Sequence, residues 1–114
     1  MALDPITASA AEIASAVRAD SISAREVIDA VLAAIRTRGQ TLNAFTAVTA
    51  ERARAKAAAI DARRAQGGAL GSLAGVPFAV KNLFDVEGLA TLAGSKINRE
   101  HAPAARDATL IERL

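Results

Sequence analysis

Apolar and polar positions follow two different periods along this chain, and the change falls near Leu73. Before it, Ile13 and Val17, then Val27, Ile28, Val31, Leu32 and Ile35, recur at spacings of three and four, the mark of amphipathic helices. Ser9 with Glu12, and Ser23 with Glu26, each form the Ser-x-x-Glu signal in which side chains and backbone amides cap one another reciprocally. The pattern predicts a first helix from near Thr7 to near Ala19. A second follows Ser23, with Gly39 as its stop. Residues 43–48 read as a short extended connector. A third helix runs from Glu51 to about Gln66, rich in alanine, arginine and lysine, and Gly67-Gly68 ends it. Arg52, Arg54, Lys56, Arg63 and Arg64 read as its solvated face, with a phosphate or RNA surface as the alternative.

After Leu73 the period shortens. Val76, Phe78 and Val80 alternate, which predicts a strand. Residues 82–95, with Gly88 and Gly94, read as irregular loop, and His101-Ala102-Pro103 as another. Asp107 is placed to cap a helix carrying Leu110, Ile111 and Leu114. That helix has barely two turns when the sequence stops. The expectation is an N-terminal piece of a longer protein, or a C-terminus that docks on another chain. Residues 1–70 are then the helical part of one domain's N-terminal portion, and residues 71–114 its strand, glycine-containing loop and first turns of a helix. The fold class is α/β.

Composition narrows the function classes. At 114 residues the chain is one small domain. Hydrophobic residues make up 52%, but many are alanine, and the aromatics are only Phe45, Phe78 and Phe84, so Leu, Ile and Val must carry the core. There is no cysteine, which excludes disulfides, thiolate metal sites and a cysteine nucleophile, and is compatible with a cytoplasmic location. One histidine, His101, excludes a multi-histidine metal site within the chain; no metal and no cofactor is expected. The net charge of +2 comes from basic and acidic residues interleaved along helices, which argues against nucleic acid as a partner. No run approaches the roughly 18 apolar residues of a membrane span, and no secretory signal opens the chain.

Lys81 is the candidate for chemistry. It ends the run Gly75-Val76-Pro77-Phe78-Ala79-Val80-Lys81, behind apolar side chains. Lysines partly buried in this way have their charged form disfavoured by desolvation and can serve as bases. The bland alternatives are a salt-bridged surface lysine here, a loop-capping role for Asp85 and an exposed His101.

The stretch 73–95 resembles the amidase signature family, serine hydrolases that cleave amide-type C–N bonds. The matching residues are Gly75, Val76, Pro77 and Lys81, then Asp85, Gly88 and Thr91, then Gly94-Ser95; Asp107 and the run Leu42-Asn43-Ala44-Phe45 fit as well. The resemblance implies that the strand belongs to a mixed sheet, incomplete in this chain. It implies that Lys81 is the lysine of a Ser–cis-Ser–Lys triad. Both triad serines lie in a downstream Gly/Ser-rich segment in that family, and nothing here resembles it, so the chain alone is expected to be inactive. Asn82, where most members carry Asp, together with Thr91 to Lys96, is similar to the carboxybiuret hydrolase-like branch. That branch implies small amide or urea-like substrates. The partners expected are the missing C-terminal portion of the domain and either a second copy or a small helical subunit. Two other readings stay open: a non-catalytic helical interaction module, and part of a glutamine amidotransferase subunit.

Overall fold

The first helix begins at Ala10 because Ser9 and Glu12 close on each other. The Ser9 amide donates to Glu12 Oε2 at 2.8 Å, and the Glu12 amide donates to Ser9 Oγ at 3.3 Å. In the computed structural model, which describes residues 2–114, this helix α1 spans Ala10–Arg18. Its end is a Schellman turn with an aspartate in the left-handed position: Asp20 has φ 59°, the Ser21 amide reaches Ala16 O at 2.9 Å, and the Asp20 amide reaches Val17 O at 3.2 Å.

Helix α2, Ala24–Ala34, opens on the second capping box, Ser23 with Glu26. In both boxes the amide and hydroxyl of the serine donate to the glutamate and hold its carboxyl below its ordinary range. The expected stop at Gly39 is not where the helical path ends. The path continues through a π-helical turn, Ile35–Gly39, into a short α3, Gln40–Leu42. Gly39 keeps a right-handed helical backbone, and the left-handed terminator is Asn43, at φ 49°. Within the widened turn the Thr37 hydroxyl donates to the carbonyls of Ala33 and Ala34, each at 3.2 Å, which competes with the regular ladder. Helix α4, Ala50–Ala65, ends as expected at the glycine pair: Gly67 has φ 71°, and the amides of Gly68 and Gly67 satisfy the carbonyls of Arg63 and Arg64.

The described chain divides into two units, Met1–Pro77 and Phe78–Leu114. The core of the first is Ile13 and Val17 of α1, Ala24 and Val27 of α2, and Ala57 of α4, flanked by Leu3, Ile22, Ile28, Ile60 and Val76. Alanine dominates α4, so it contributes one small buried methyl and lies close to α2.

The solvated face expected for α4 is found at Lys56 and Arg63, which are exposed, but not at Arg54 and Arg64. Arg64 keeps only 17% of its side chain exposed; it pairs with Asp20 at 2.8 Å and donates to Val17 O at 2.9 Å, the C-terminal end of α1. One turn earlier, Asp61 accepts the amides of Ala24 and Arg25, at 2.8 and 3.0 Å, and so supplies two caps that α2 cannot supply itself. Arg54 pairs with Asp29 of α2 at 2.8 Å, and this contact, with Arg25 behind it, holds the Asp29 carboxyl below its ordinary range.

The strand expected at residues 76–80 does not form, and no strand is present among the described residues. Alternation is a property of one segment's side chains, whereas a strand needs a second backbone to complete its ladder. The amides of Phe78, Ala79 and Val80 find no such partner among the described residues. The second unit therefore consists of turns, a 3-10 turn at Lys96–Glu100 and a short helix α5, Thr109–Arg113. Asp107 does not cap α5, whose N-cap is Ala108 without a side-chain bond. Asp107 accepts the Glu87 amide instead, at 2.8 Å.

Candidate functional site

Gly75 fixes the approach to the candidate site. It is buried with φ 83°, and a Cβ built on it falls 2.8 Å from Val17 Cγ2 and 3.0 Å from Cγ1. Two independent constraints, handedness and space, thus require glycine there. The turn before it is held by the Arg18 guanidinium, which donates to the carbonyls of Gly71 and Ser72 at 3.2 and 3.4 Å.

Within the second unit, Lys81 stands where the extended segment turns. Its carbonyl accepts the amides of Leu83 and Phe84, at 2.7 and 3.1 Å. The expected partial burial is not found: the Lys81 side chain is exposed, and of the apolar residues before it Phe78 and Ala79 are exposed while Val76 and Val80 are only half-buried. Its ammonium makes no hydrogen bond or ion pair with the described residues. Within the second unit the one serine, Ser95, does not bond to it. Ser9, Ser23 and Ser95 are spent as caps, Ser15 and Ser21 lie on or just after α1, and Ser72 is in the turn before Gly75.

The loop after Lys81 is fixed by side chains that sequence reasoning took as irregular. Asn82 makes two bonds to one strip of backbone: its Oδ1 accepts the Leu92 amide at 3.0 Å, and its carbonyl accepts the Ala93 amide at 2.7 Å. Asn98 Nδ2 donates to the other side of the same residue, Leu92 O, at 2.9 Å. Asp85 accepts the Thr91 hydroxyl, and its carbonyl accepts the Ala108 amide at 2.9 Å. Asp85 thus ties the loop together, but through a hydroxyl where a backbone amide was expected. Gly88 and Ala104 close the far side at 2.9 Å. Ser95 caps the 3-10 turn through the Ile97 amide at 3.4 Å, and His101 is exposed. The sequence signal that could have found Asn82 and Asn98 is their type, since Asn bonds backbone in turns.

Among the described residues there is no group of three His, Cys, Asp or Glu side chains that could hold a metal. A groove of about 240 Å³ in the first unit, lined by Ile35, Arg36, Gly39, Gln40, Asn43, Phe45 and Val48, contains no nucleophile and no paired acid and base. What the second unit offers is an exposed ammonium on a turn held by backbone hydrogen bonds.

Residues 26–114 match the family model described as Amidase. Among curated proteins, the chain is 55% identical over 103 residues to AtzE, the 1-carboxybiuret hydrolase subunit of Pseudomonas sp. (strain ADP), covering 90% of this chain and 22% of that protein. It is 47% identical over 103 residues to the A-type subunit of the glutamyl-tRNA(Gln) amidotransferase of Anaeromyxobacter sp. (strain K), covering 90% and 21%. The chain thus spans about a fifth of the length of these relatives. Among solved structures, one described as a vestigial protein complex that reveals the evolutionary origins of an s-triazine catabolic enzyme has a TM-score of 0.91 at 53% identity, over 93% of this chain and 23% of that one. A bacterial aryl acylamidase of the amidase signature family has a TM-score of 0.80 at 38% identity, over 86% and 20%.

Proposed function

The chain belongs to the amidase family, and from that premise we propose that it is the N-terminal portion of an amidohydrolase and supplies Lys81 as the base of a Ser–cis-Ser–Lys relay. The observation that carries this reading is the Lys81 ammonium, held on a side-chain-bonded turn and engaged by no described residue, at the position that fits the family's lysine. In the relay a neutral lysine accepts a proton from the bridging serine, which takes one from the nucleophilic serine as its oxygen attacks the amide carbon. Backbone amides stabilise the oxyanion, the amine departs with a proton returned along the same path, and water hydrolyses the acyl-enzyme. Both serines would come from outside this chain, so the chain alone is inactive. The 55% identity to the carboxybiuret hydrolase subunit supports small, urea-like amides as substrates. A cytoplasmic location is part of the proposal and rests only on the lack of cysteine. A small helical subunit or a second copy would be the partner; that a structural neighbour is described as a protein complex supports assembly with a partner of one kind or the other.

The test is reconstitution. This chain is mixed with the downstream portion of the Pseudomonas relative, and ammonia release from biuret-like compounds and simple amides is followed. Activity should need both pieces and fall at least a thousandfold in Lys81→Ala, in keeping with loss of the base that activates a serine (~10³ or more). Turnover by the chain alone, or a Lys81→Ala pair as active as the parent, would refute the assignment. The amidotransferase relatives favour a second reading, in which glutamine is the ammonia source. Preferential release of ammonia from glutamine by the reconstituted pair would establish that reading in place of the first.

A further inference from the structure

Asn82, which follows Lys81 and is the position at which this chain departs from the family pattern, binds the loop at residues 91–93 through both its side chain and its carbonyl. We infer that Asn82 is a positioning residue: it fixes the Lys81 backbone, and with it the point and direction from which the side chain leaves, by binding the Leu92–Ala93 backbone at two points. This inference rests on Lys81 being the base proposed above.

Asn82 binds with both of its oxygens. Oδ1 takes the Leu92 amide at 3.0 Å, while the carbonyl takes the Ala93 amide at 2.7 Å, so the residue is held like a rung and cannot rotate about either bond alone. The strip it grips is itself immobilised. Asn98 Nδ2 holds Leu92 O at 2.9 Å from the opposite side. Ala93 and Gly94 follow in the left-handed region, at φ 46° and 70°, an arrangement a non-glycine residue adopts only when its surroundings impose it. On the other side of Asn82, the Lys81 carbonyl accepts two amides, Leu83 at 2.7 Å and Phe84 at 3.1 Å, which fixes the peptide between Lys81 and Asn82. The ammonium itself has no partner among the described residues, so nothing at the tip of the side chain sets its direction. The backbone sets where the side chain starts, the Cα–Cβ direction of Lys81, and that is the part Asn82 controls. Asn fills this role without adding a charge one residue from the base; Asp would make the same acceptor contact but add a carboxylate.

Three variants test this: Asn82→Ala removes the acceptor, Asn82→Asp keeps it, and Asn98→Ala loosens the strip from the far side. Amide exchange and competitive acetylation of Lys81 against Lys56 and Lys96 are read on this chain, and kinetics on the reconstituted pair. In Asn82→Ala, exchange at Leu92 should quicken about tenfold, as expected for loss of one hydrogen bond. The Lys81 labelling rate should change relative to the two reference lysines. In the pair, kcat should fall by about ten- to a hundredfold with KM within about twofold, as a misaligned base costs rate and not binding. Asn82→Asp should restore Leu92 protection and most of kcat, and Asn98→Ala should fall between. The inference is overturned if Asn82→Ala leaves exchange and Lys81 labelling unchanged, or if Asn82→Asp is as impaired as Asn82→Ala in both. If exchange and labelling respond as expected while no pair hydrolyses any amide, Asn82 stands as the anchor of Lys81, and the role of Lys81 as base is what has failed.

Discussion

Gly75 shows how one missing side chain can hold two constraints at once. Its backbone is left-handed, and the volume a Cβ would fill is taken by the methyls of Val17, which is itself fully buried. Gly75→Ala should therefore destabilise the first unit by about 1–3 kcal/mol, as strained and overpacked substitutions do. Urea unfolding measures this, and a variant with an unchanged midpoint would contradict it. Glu12 and Glu26 behave differently, through charge. Each is exposed and held below the ordinary value of 4.5, first by the serine backbone amide and then by its hydroxyl. With folded values depressed, their contribution is present above the unfolded value and is lost as pH falls through the folded one. Thermal stability should thus decline as the solution is acidified below 4.5. In the double variant Glu12→Gln and Glu26→Gln, which can still accept the same bonds, that part of the decline should disappear. An identical acid profile in parent and variant would exclude the capping boxes as its source.

Helix boundaries were readable where local chemistry sets them. Both Ser-x-x-Glu boxes and the Gly67-Gly68 terminator form as the sequence indicates, because each closes on neighbours within a few residues. Gly39 misled because glycine permits a left-handed turn without enforcing one, and the hydroxyl of Thr37 widened the helix where it was expected to stop. The arginines of α4 misled for a different reason. Their spacing suits a solvated face, and only the arrival of α1 and α2 turns Arg64 and Asp61 into caps for the ends of other helices. Asp61→Ala should cost about 1–3 kcal/mol, since it leaves the amide of buried Ala24 unsatisfied. Lys56→Ala, on an exposed residue, should stay within about 0.5 kcal/mol. Equal midpoints for the two variants would show that the clamp contributes nothing.

The two units were legible to different degrees. The first carries its own apolar core, so periodicity sufficed to find its helices. The second buries Ile111 but leaves Phe78, Leu83, Ile97, Leu110 and Leu114 largely exposed, and its order rests on polar side chains gripping backbone, which leave no period to read. Lys81 could be singled out from its neighbours in sequence, but its exposure could not, because burial depends on atoms that follow no local rule. The alternation at residues 76–80 marks a segment suited to a ladder. Adding the downstream portion of the Pseudomonas relative should slow amide exchange at Phe78, Ala79 and Val80 at least tenfold, as pairing of free amides does. Unchanged exchange in an active mixture would mean that the lysine works without a completed strand.

The first four amides of α2 have three different owners. Ala24 and Arg25 answer to Asp61, a residue 36 or 37 positions away; Glu26 answers to the hydroxyl of Ser23; Val27 answers to the Ser23 carbonyl. One turn of helix is therefore a gauge with two independent dials. The Glu26 amide registers whether α2 has formed at all, while those of Ala24 and Arg25 register whether α4 has arrived, so a single spectrum can tell a helix that has merely coiled from one that has found its place.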